Sequence, residues 1–359
     1  MKALHCLKQY DIRNNIKLAT KLFEILVMPI LWYGCEVSAP LALKKLNSSN
    51  LLSLCNTADI EQINIKFGKY LLGVHRKTTN LAVSGELGRH PLLIDALYHS
   101  LNNWTRICNL SVDSIVKKSY LDSLFSNFGK TNSWCSSIYT CLMELDFPNL
   151  WENQGGTNKN QVKSIHNYIR IKYENEWVTE INSEKQRKLR TYKLFKERFG
   201  IENYILSLNF EDRNKFTKLR TSAHCLHIET GRYTRPPTPV DDRVCPICKN
   251  DTIEDEEHFL MKCEAYSDAR KQLFKNLSVL STFVFLENTE TFCVLMNSLN
   301  GDHEFSKEVS SFINSCFKKR EQIMEGIKNL TLNILFTFVC MLCLQGCLCP
   351  YPFSEILSL

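Results

Sequence analysis

The sequence predicts a mainly α, multi-domain helical protein that carries a small zinc-knuckle module. Periodicity is the first ground: Ile63, Phe67, Tyr70 and Leu71 lie at helical spacing, as do Leu97, Leu101, Trp104 and Ile107. A second is the set Cys245, Cys248, His258 and Cys263, arranged C-x2-C-x9-H-x4-C. The third is bulk composition. At 359 residues, with 44% hydrophobic and 23% charged positions, the chain is ordinary for a folded protein and long enough for two or three domains.

In chain order, Ile16 to Tyr33 is strongly apolar, but Glu24 and Pro29 interrupt it and it is too short to span a bilayer. Pro29 should end or kink this element. Asp59 to Leu72 reads as a helix with Gly73 as its stop. Thr79 to Leu110 repeats the pattern, with Pro91 opening a second helix. Its Gly85-Glu86-Leu87-Gly88 reads as a turn and helix start, not as a phosphate loop. The Leu and aromatic stripes are read as core. Trp151 to Gln161, polar with paired glycines, is the best candidate linker.

Gln161 to Phe199 returns to helical periodicity with many basic residues. From Ser183 to Arg235 there are 13 Lys or Arg against 6 Asp or Glu, a local balance of +7. The whole chain carries +6, so the remainder is close to neutral, at about −1. A basic segment leading into a metal site is the pattern of a phosphate-binding surface; a solvated helical face is the plainer alternative. The surface is expected mainly on Lys185, Arg187, Lys188, Arg190, Lys193, Lys196 and Arg198, with Arg220, Arg232 and Arg235 as further phosphate contacts. Tyr192 lies among them and could stack on a base, although a core role is the expected one.

Three thiolates and one imidazole complete a tetrahedral set for Zn²⁺ and leave no position open for water, so the expected metal is structural, not catalytic. Pro246 presets the turn between Cys245 and Cys248, and Ile247 can face the local core. His258 and Cys263 are close to one helical turn apart, so a short helix brings both to one ion. Chance clustering among 16 cysteines is the alternative, against which the closed ligand set at metal spacing argues. The other cysteines are scattered, and Met1 to Asn15 lacks the apolar core of a secretory signal. Together these point to a reducing compartment, cytoplasmic or nuclear, with buried thiols. Arg243, Lys249, Lys262 and Arg270 flank the site, but Asp241, Asp242 and the acids from Asp251 to Glu257 argue against the knuckle tip gripping a backbone. His224 and His227 are read as structural. Arg235 to Asp242, with three prolines, should form a stiff lead-in.

Tyr266 to Leu277 and Lys307 to Ile327 read as amphipathic helices. Leu332 to Cys349 is nearly all apolar and about 18 residues long, at the threshold for a membrane span. Asn333, Gln345 and Gly346 weaken that reading, so a membrane partner is an option that is not favoured.

Four stretches, in order, resemble the C-terminal part of a non-LTR (LINE-type) retrotransposon reverse transcriptase. Lys21-Leu22-Phe23 through Met28-Pro29-Ile30-Leu31-Trp32-Tyr33-Gly34-Cys35-Glu36 is similar to the family's element at the start of the thumb-like region. Phe67 to Val74, Thr79 to Val83 and Gly85 to Leu92 resemble its next block. Leu219-Arg220 to Gly231-Arg232-Tyr233 is similar to the element before the family's zinc knuckle, and Cys245, Cys248, His258 and Cys263 match the knuckle. The resemblance covers roughly residues 1 to 275. It implies a helical thumb-like region (1–150), a linker and basic helical region (151–214) and a zinc-knuckle domain (215–275). C-terminal helices (276–330) and an apolar Cys-rich tail (331–359) follow.

The departures from that family bear on activity. Reverse transcriptases hold two Mg²⁺ ions with adjacent aspartates after an aromatic residue. Here the adjacent pair is Asp241-Asp242, preceded by Pro239-Val240, and no fingers, palm or endonuclease segment is recognised. The chain is therefore expected not to be an enzyme by itself. The implied role is binding RNA or DNA backbone, with catalysis supplied by a reverse transcriptase subunit in trans. A zinc-stabilised protein-interaction module using the acidic knuckle, a tail-anchored membrane protein and a transposon relic are the rival readings.

Overall fold

Helix starts follow local side-chain chemistry. Asn15, Asn50, Ser133, Asn158 and Asn209 each accept a backbone N–H that would otherwise lack a partner in the first turn. Asn158 forms a reciprocal capping box with Gln161. Gly73 and Gly88 end their helices in the left-handed conformation, at φ 64° and 57°. The computed structural model describes residues 12–42, 50–127, 133–248, 250–280, 288–297 and 302–344.

The architecture is mainly α, as the periodicity predicts. Ile16–Leu26, Met28–Leu31 and Cys35–Ala42 lead into Leu51–Thr57, Asp59–Leu72, Asn80–Leu87 and Leu92–Cys108. Ile115–Asn127, Trp134–Glu144 and Pro148–Glu152 precede the long helix Lys159–Ile181. Leu92–Cys108 packs against both Cys35–Ala42 and Lys159–Ile181. The last buries Val162, Ile165, Ile169, Tyr173, Trp177 and Ile181, a stripe at three- and four-residue steps. Farther on, His303–Leu344 packs against Phe210–Arg220 and Ser267–Leu280. The buried apolar residues form one cluster from Ile12 to Phe317. Among the described residues, β structure is confined to two isolated antiparallel bridges, Leu87 with Ile201 and Val244 with Ile253.

Several sequence expectations change. The break in the first apolar segment falls at Val27, immediately before the helix that holds Pro29 in its first turn, a position where the missing N–H costs nothing. Gly85-Glu86-Leu87-Gly88 closes a helix instead of starting one. The stretch from Trp151 to Gln161 is not an extended linker. Trp151 stacks on Trp104 at 6.0 Å, and Gln154 accepts a hydrogen bond from the Tyr120 hydroxyl at 2.8 Å. Its polarity serves turn and capping contacts, which composition does not distinguish from a tether.

The helix expected to continue to Phe199 stops at Ile181. Beyond it the chain turns, with only Arg187–Leu189 (3₁₀) and Tyr192–Phe195 helical before Asn203–Ser207. Leu189, Tyr192 and Phe195 are buried, so apolar anchoring at irregular spacing overrides helix continuation. Among the described residues no single helix is long and apolar enough to cross a membrane. Of the apolar run Leu332 to Cys349, the backbone is helical to Leu344, while 345–349 lie outside the described residues.

Candidate metal centre

Cys245, Cys248, His258 and Cys263 come together, their ligating atoms all within 4.8 Å of one another. Tetrahedral thiolate coordination needs sulfur atoms about 3.8 Å apart, so the four can close on one metal ion with small side-chain shifts. Two local devices build this geometry. In the first, Cys245 N donates to Thr252 O at 2.8 Å and Glu254 N to Arg243 O at 2.9 Å, closing a short antiparallel hairpin that presents Cys245 and Cys248. Ile247 packs partly buried against the core, as its place in the turn suggested.

The second device is a π-helix over His258–Lys262. Cys263 N donates to His258 O at 2.8 Å, an i→i+5 bond that sets these two ligands one wide turn apart. Asp255 Oδ1 accepts from His258 N at 2.7 Å and so caps the turn. Arg270 donates to Leu260 O at 2.9 Å and Cys263 O at 3.1 Å, satisfying carbonyls at its far end.

His258 presents Nε2 to the site, 3.5 Å from Cys248 Sγ, while Thr252 Oγ1 lies 3.3 Å from its Nδ1. Such a partner on the non-ligating nitrogen fixes the ring orientation and tautomer. A hydrogen bond from Cys263 holds the Cys245 thiol far below the ordinary thiol range, and the same contact raises Cys263. Protein contacts alone thus favour one thiolate of this pair; a cation would stabilise both.

Part of the acidic stretch beside the ligands is turned inward, at Glu254 and Glu256, while Asp241, Asp242 and Asp251 remain exposed. Glu254 accepts two bonds from Arg320, at 2.7 and 2.8 Å, and one from His227 N at 2.6 Å. Glu256 meets Arg190 at 2.6 Å and His224 at 2.8 Å. Burial would raise its carboxyl, but His224 and Arg190 outweigh burial and hold it at about 2. Glu257 pairs with Lys262 at 2.8 Å. His224 and His227 are structural: the first serves Glu256, and the second donates from Nδ1 to Val244 O at 2.9 Å.

The ten basic residues expected to meet phosphate divide sharply. Arg220 is fully buried against Glu86, and Lys196 is buried against Glu202 and Gly200 O, so neither belongs to a surface. Arg190 bridges Glu229 and Glu256, and Arg232 bonds Glu229 and Arg187 O. Lys185, Arg187, Lys193, Arg198 and Arg235 remain exposed, and Lys188 is half-buried. They do not share one helix face, because no single helix runs through them all. Tyr192 is core. Of the residues flanking the metal site, Arg243 is buried on Ile228 O and Thr238 O, while Lys249 lies outside the described residues.

Sequence reasoning missed Thr252, Asp255 and the Glu254–Arg320 pair. Asp255, three residues before His258, carried a capping signal; Arg320, 66 residues from Glu254, carried none.

Comparison with known proteins brings no match: no protein-family model, no curated protein and no solved structure matches the chain. The class is therefore set by the site itself, a closed Cys3His centre able to hold a metal ion inside a helical protein.

Proposed function

We propose that this chain is a zinc-stabilised, polynucleotide-binding protein corresponding to the non-catalytic C-terminal part of a non-LTR retrotransposon reverse transcriptase. The observation that carries the reading is the convergence of Cys245, Cys248, His258 and Cys263 with its supporting shell, on the motif that carries the resemblance. Three sulfurs and one imidazole nitrogen favour zinc over oxygen-seeking Mg²⁺ or Ca²⁺. No ligand position is left for substrate, so the metal's work is to order the hairpin and the π-turn.

The exposed residues Lys185, Arg187, Lys193, Arg198 and Arg235 supply positive charge near this module. Such contacts give a largely sequence-independent affinity that falls steeply with salt. Catalysis would come from a polymerase acting in trans.

The test is elemental analysis of the purified chain and its Cys263→Ser variant, followed by titration with labelled single-stranded RNA and DNA at two salt concentrations. One zinc per chain, lost in the variant, with salt-sensitive polynucleotide binding, is the expected result. A folded chain without zinc would overturn the metal assignment, and zinc without polynucleotide binding would favour a protein-interaction module.

A further inference from the structure

We propose that the cleft between residues 73–78 and 222–233 binds the phosphate backbone of a single-stranded polynucleotide, with Tyr233 as a base-stacking platform. The inference deepens the function proposed above and rests on it; what is new is a cleft that joins part of the basic segment to Lys77, far from it in the chain. The cleft has a volume of about 680 Å³, and Lys77, Lys188, Lys215, Lys218 and Tyr233 line it. These residues come from four separate parts of the chain.

The charge there is in excess. Among the described residues, Lys77, Lys188 and Lys218 form no ion pair, while Lys215 pairs with the exposed Glu321 at 2.6 Å. Glu229, the other lining acid, is already engaged by Arg190 and Arg232. Burial and the charge of Lys188 lower the Lys69 ammonium behind the 73–78 loop. Burial and Lys215 lower Lys218 in the same direction. Cations crowded this way gain when an anion enters between them.

Tyr233 distinguishes a polynucleotide from a lone phosphate. Its ring is 50% exposed at the cleft. Lys188 Nζ donates to its hydroxyl at 2.6 Å, and Lys77 Nζ lies 4.5 Å from its ring centroid. Lys77 and Lys188 both lie over this ring, 4.5 and 5.3 Å from its centroid, so a base stacks by taking a cation's place on the ring and brings its flanking phosphates beside the displaced ammonium. Lys215 and Lys218, three apart on Phe210–Arg220, offer a second pair of cations for the next stretch of backbone. A charged groove with an aromatic platform is the recognition mode for unpaired strands, whose bases are free to stack.

The experiment measures anisotropy of fluorescein-labelled oligouridylate, oligothymidylate and a matched duplex with the full chain. The variants are Lys77→Glu with Lys218→Glu in the cleft, and Lys159→Glu with Lys163→Glu on an exposed helix face elsewhere. Circular dichroism melts establish that each variant is folded. The cleft pair is expected to weaken single-strand binding by about tenfold or more at moderate salt and to lower the salt slope, with the control pair nearly unchanged. Tyr233→Ala should also weaken it, and Tyr233→Phe should retain most of the affinity. Equal losses in the two pairs, or none in the cleft pair, would overturn the cleft while leaving polynucleotide binding intact. Tighter binding of duplex than of either single strand would overturn the stacking role. No binding of any probe by the wild-type chain would remove the underlying function as well.

Discussion

The Arg220 guanidinium grips the Glu86 carboxylate with two hydrogen bonds, at 2.8 and 3.0 Å, and both side chains are closed to solvent. The partners are 134 residues apart and tie Asn80–Leu87 to Phe210–Arg220. Tyr204 donates its hydroxyl to the same carboxylate, and the Met296 carbonyl accepts from Arg220. Burial alone would raise Glu86, yet Arg220 keeps its carboxyl below the ordinary value.

Removing one partner strands the other charge in the core. Arg220→Met is therefore expected to lose about 3–5 kcal/mol, with Glu86→Leu similar. The double variant should recover part of that loss. Urea unfolding of all four proteins measures the coupling; additive losses would show that the pair is not a unit.

Gly85, beside Glu86, faces crowded aromatic packing. A Cβ there would lie 2.3 Å from the Trp177 ring and 2.7 Å from the Tyr192 hydroxyl. Trp177 is itself fixed by donating to Leu81 O at 3.0 Å. Gly85→Ala should cost roughly 1–3 kcal/mol by overpacking, despite alanine's better helix propensity. A melting temperature at or above wild type would refute that packing argument.

The Thr252 hydroxyl meets the metal site at the His258 ring, 3.3 Å from Nδ1, and more distantly at Cys248 Sγ, 4.0 Å away. Thr252→Val should leave the fold intact but weaken metal affinity by about 10–100-fold, because the imidazole loses its orienting partner. Competition against a chelator of known affinity reads this directly. An unchanged constant would mean that the hairpin alone positions the ring.

Glu61 gives the molecule a pH dependence. It is buried, accepts from Leu93 N at 2.9 Å and from Asn64 at 3.0 Å, and burial pushes its carboxyl up to about 7. The folded state thus binds a proton at Glu61 that the unfolded state releases near the usual carboxylate value. Its contribution is full below that value and is lost as pH rises through about 7. The loss is of order 3 kcal/mol at most. Denaturation between pH 4 and 8 should show this slope in wild type and a flatter one in Glu61→Gln.

The helix Asp59–Leu72 with its stop at Gly73, the helix opened after Pro91 and the four residues able to hold a metal ion were all legible in the sequence. Each depends on residues close together in the chain: apolar side chains at three- and four-residue steps, a left-handed glycine, cysteines separated by two residues. Even the spacing of His258 and Cys263 was present, although its meaning, a π-turn closed by an i→i+5 bond, needed the backbone.

Charge was different. Arg220 and Lys196 look like their exposed neighbours Lys193 and Arg198 in the sequence, and the acids around Glu256 look like a surface. Their carboxylate and cation partners lie elsewhere in the chain, as with Glu86 for Arg220 and Arg320 for Glu254, so local reading cannot decide which charges are spent inside. The same holds for the cleft, where Lys77, Lys188 and Lys218 meet only after folding. The sequence by itself determined the mainly helical class, several of its helices and which residues can hold a metal, because these are short-range properties. Tertiary structure alone decided which cations face solvent, because burial and ion pairing are set by whatever packs across from each side chain.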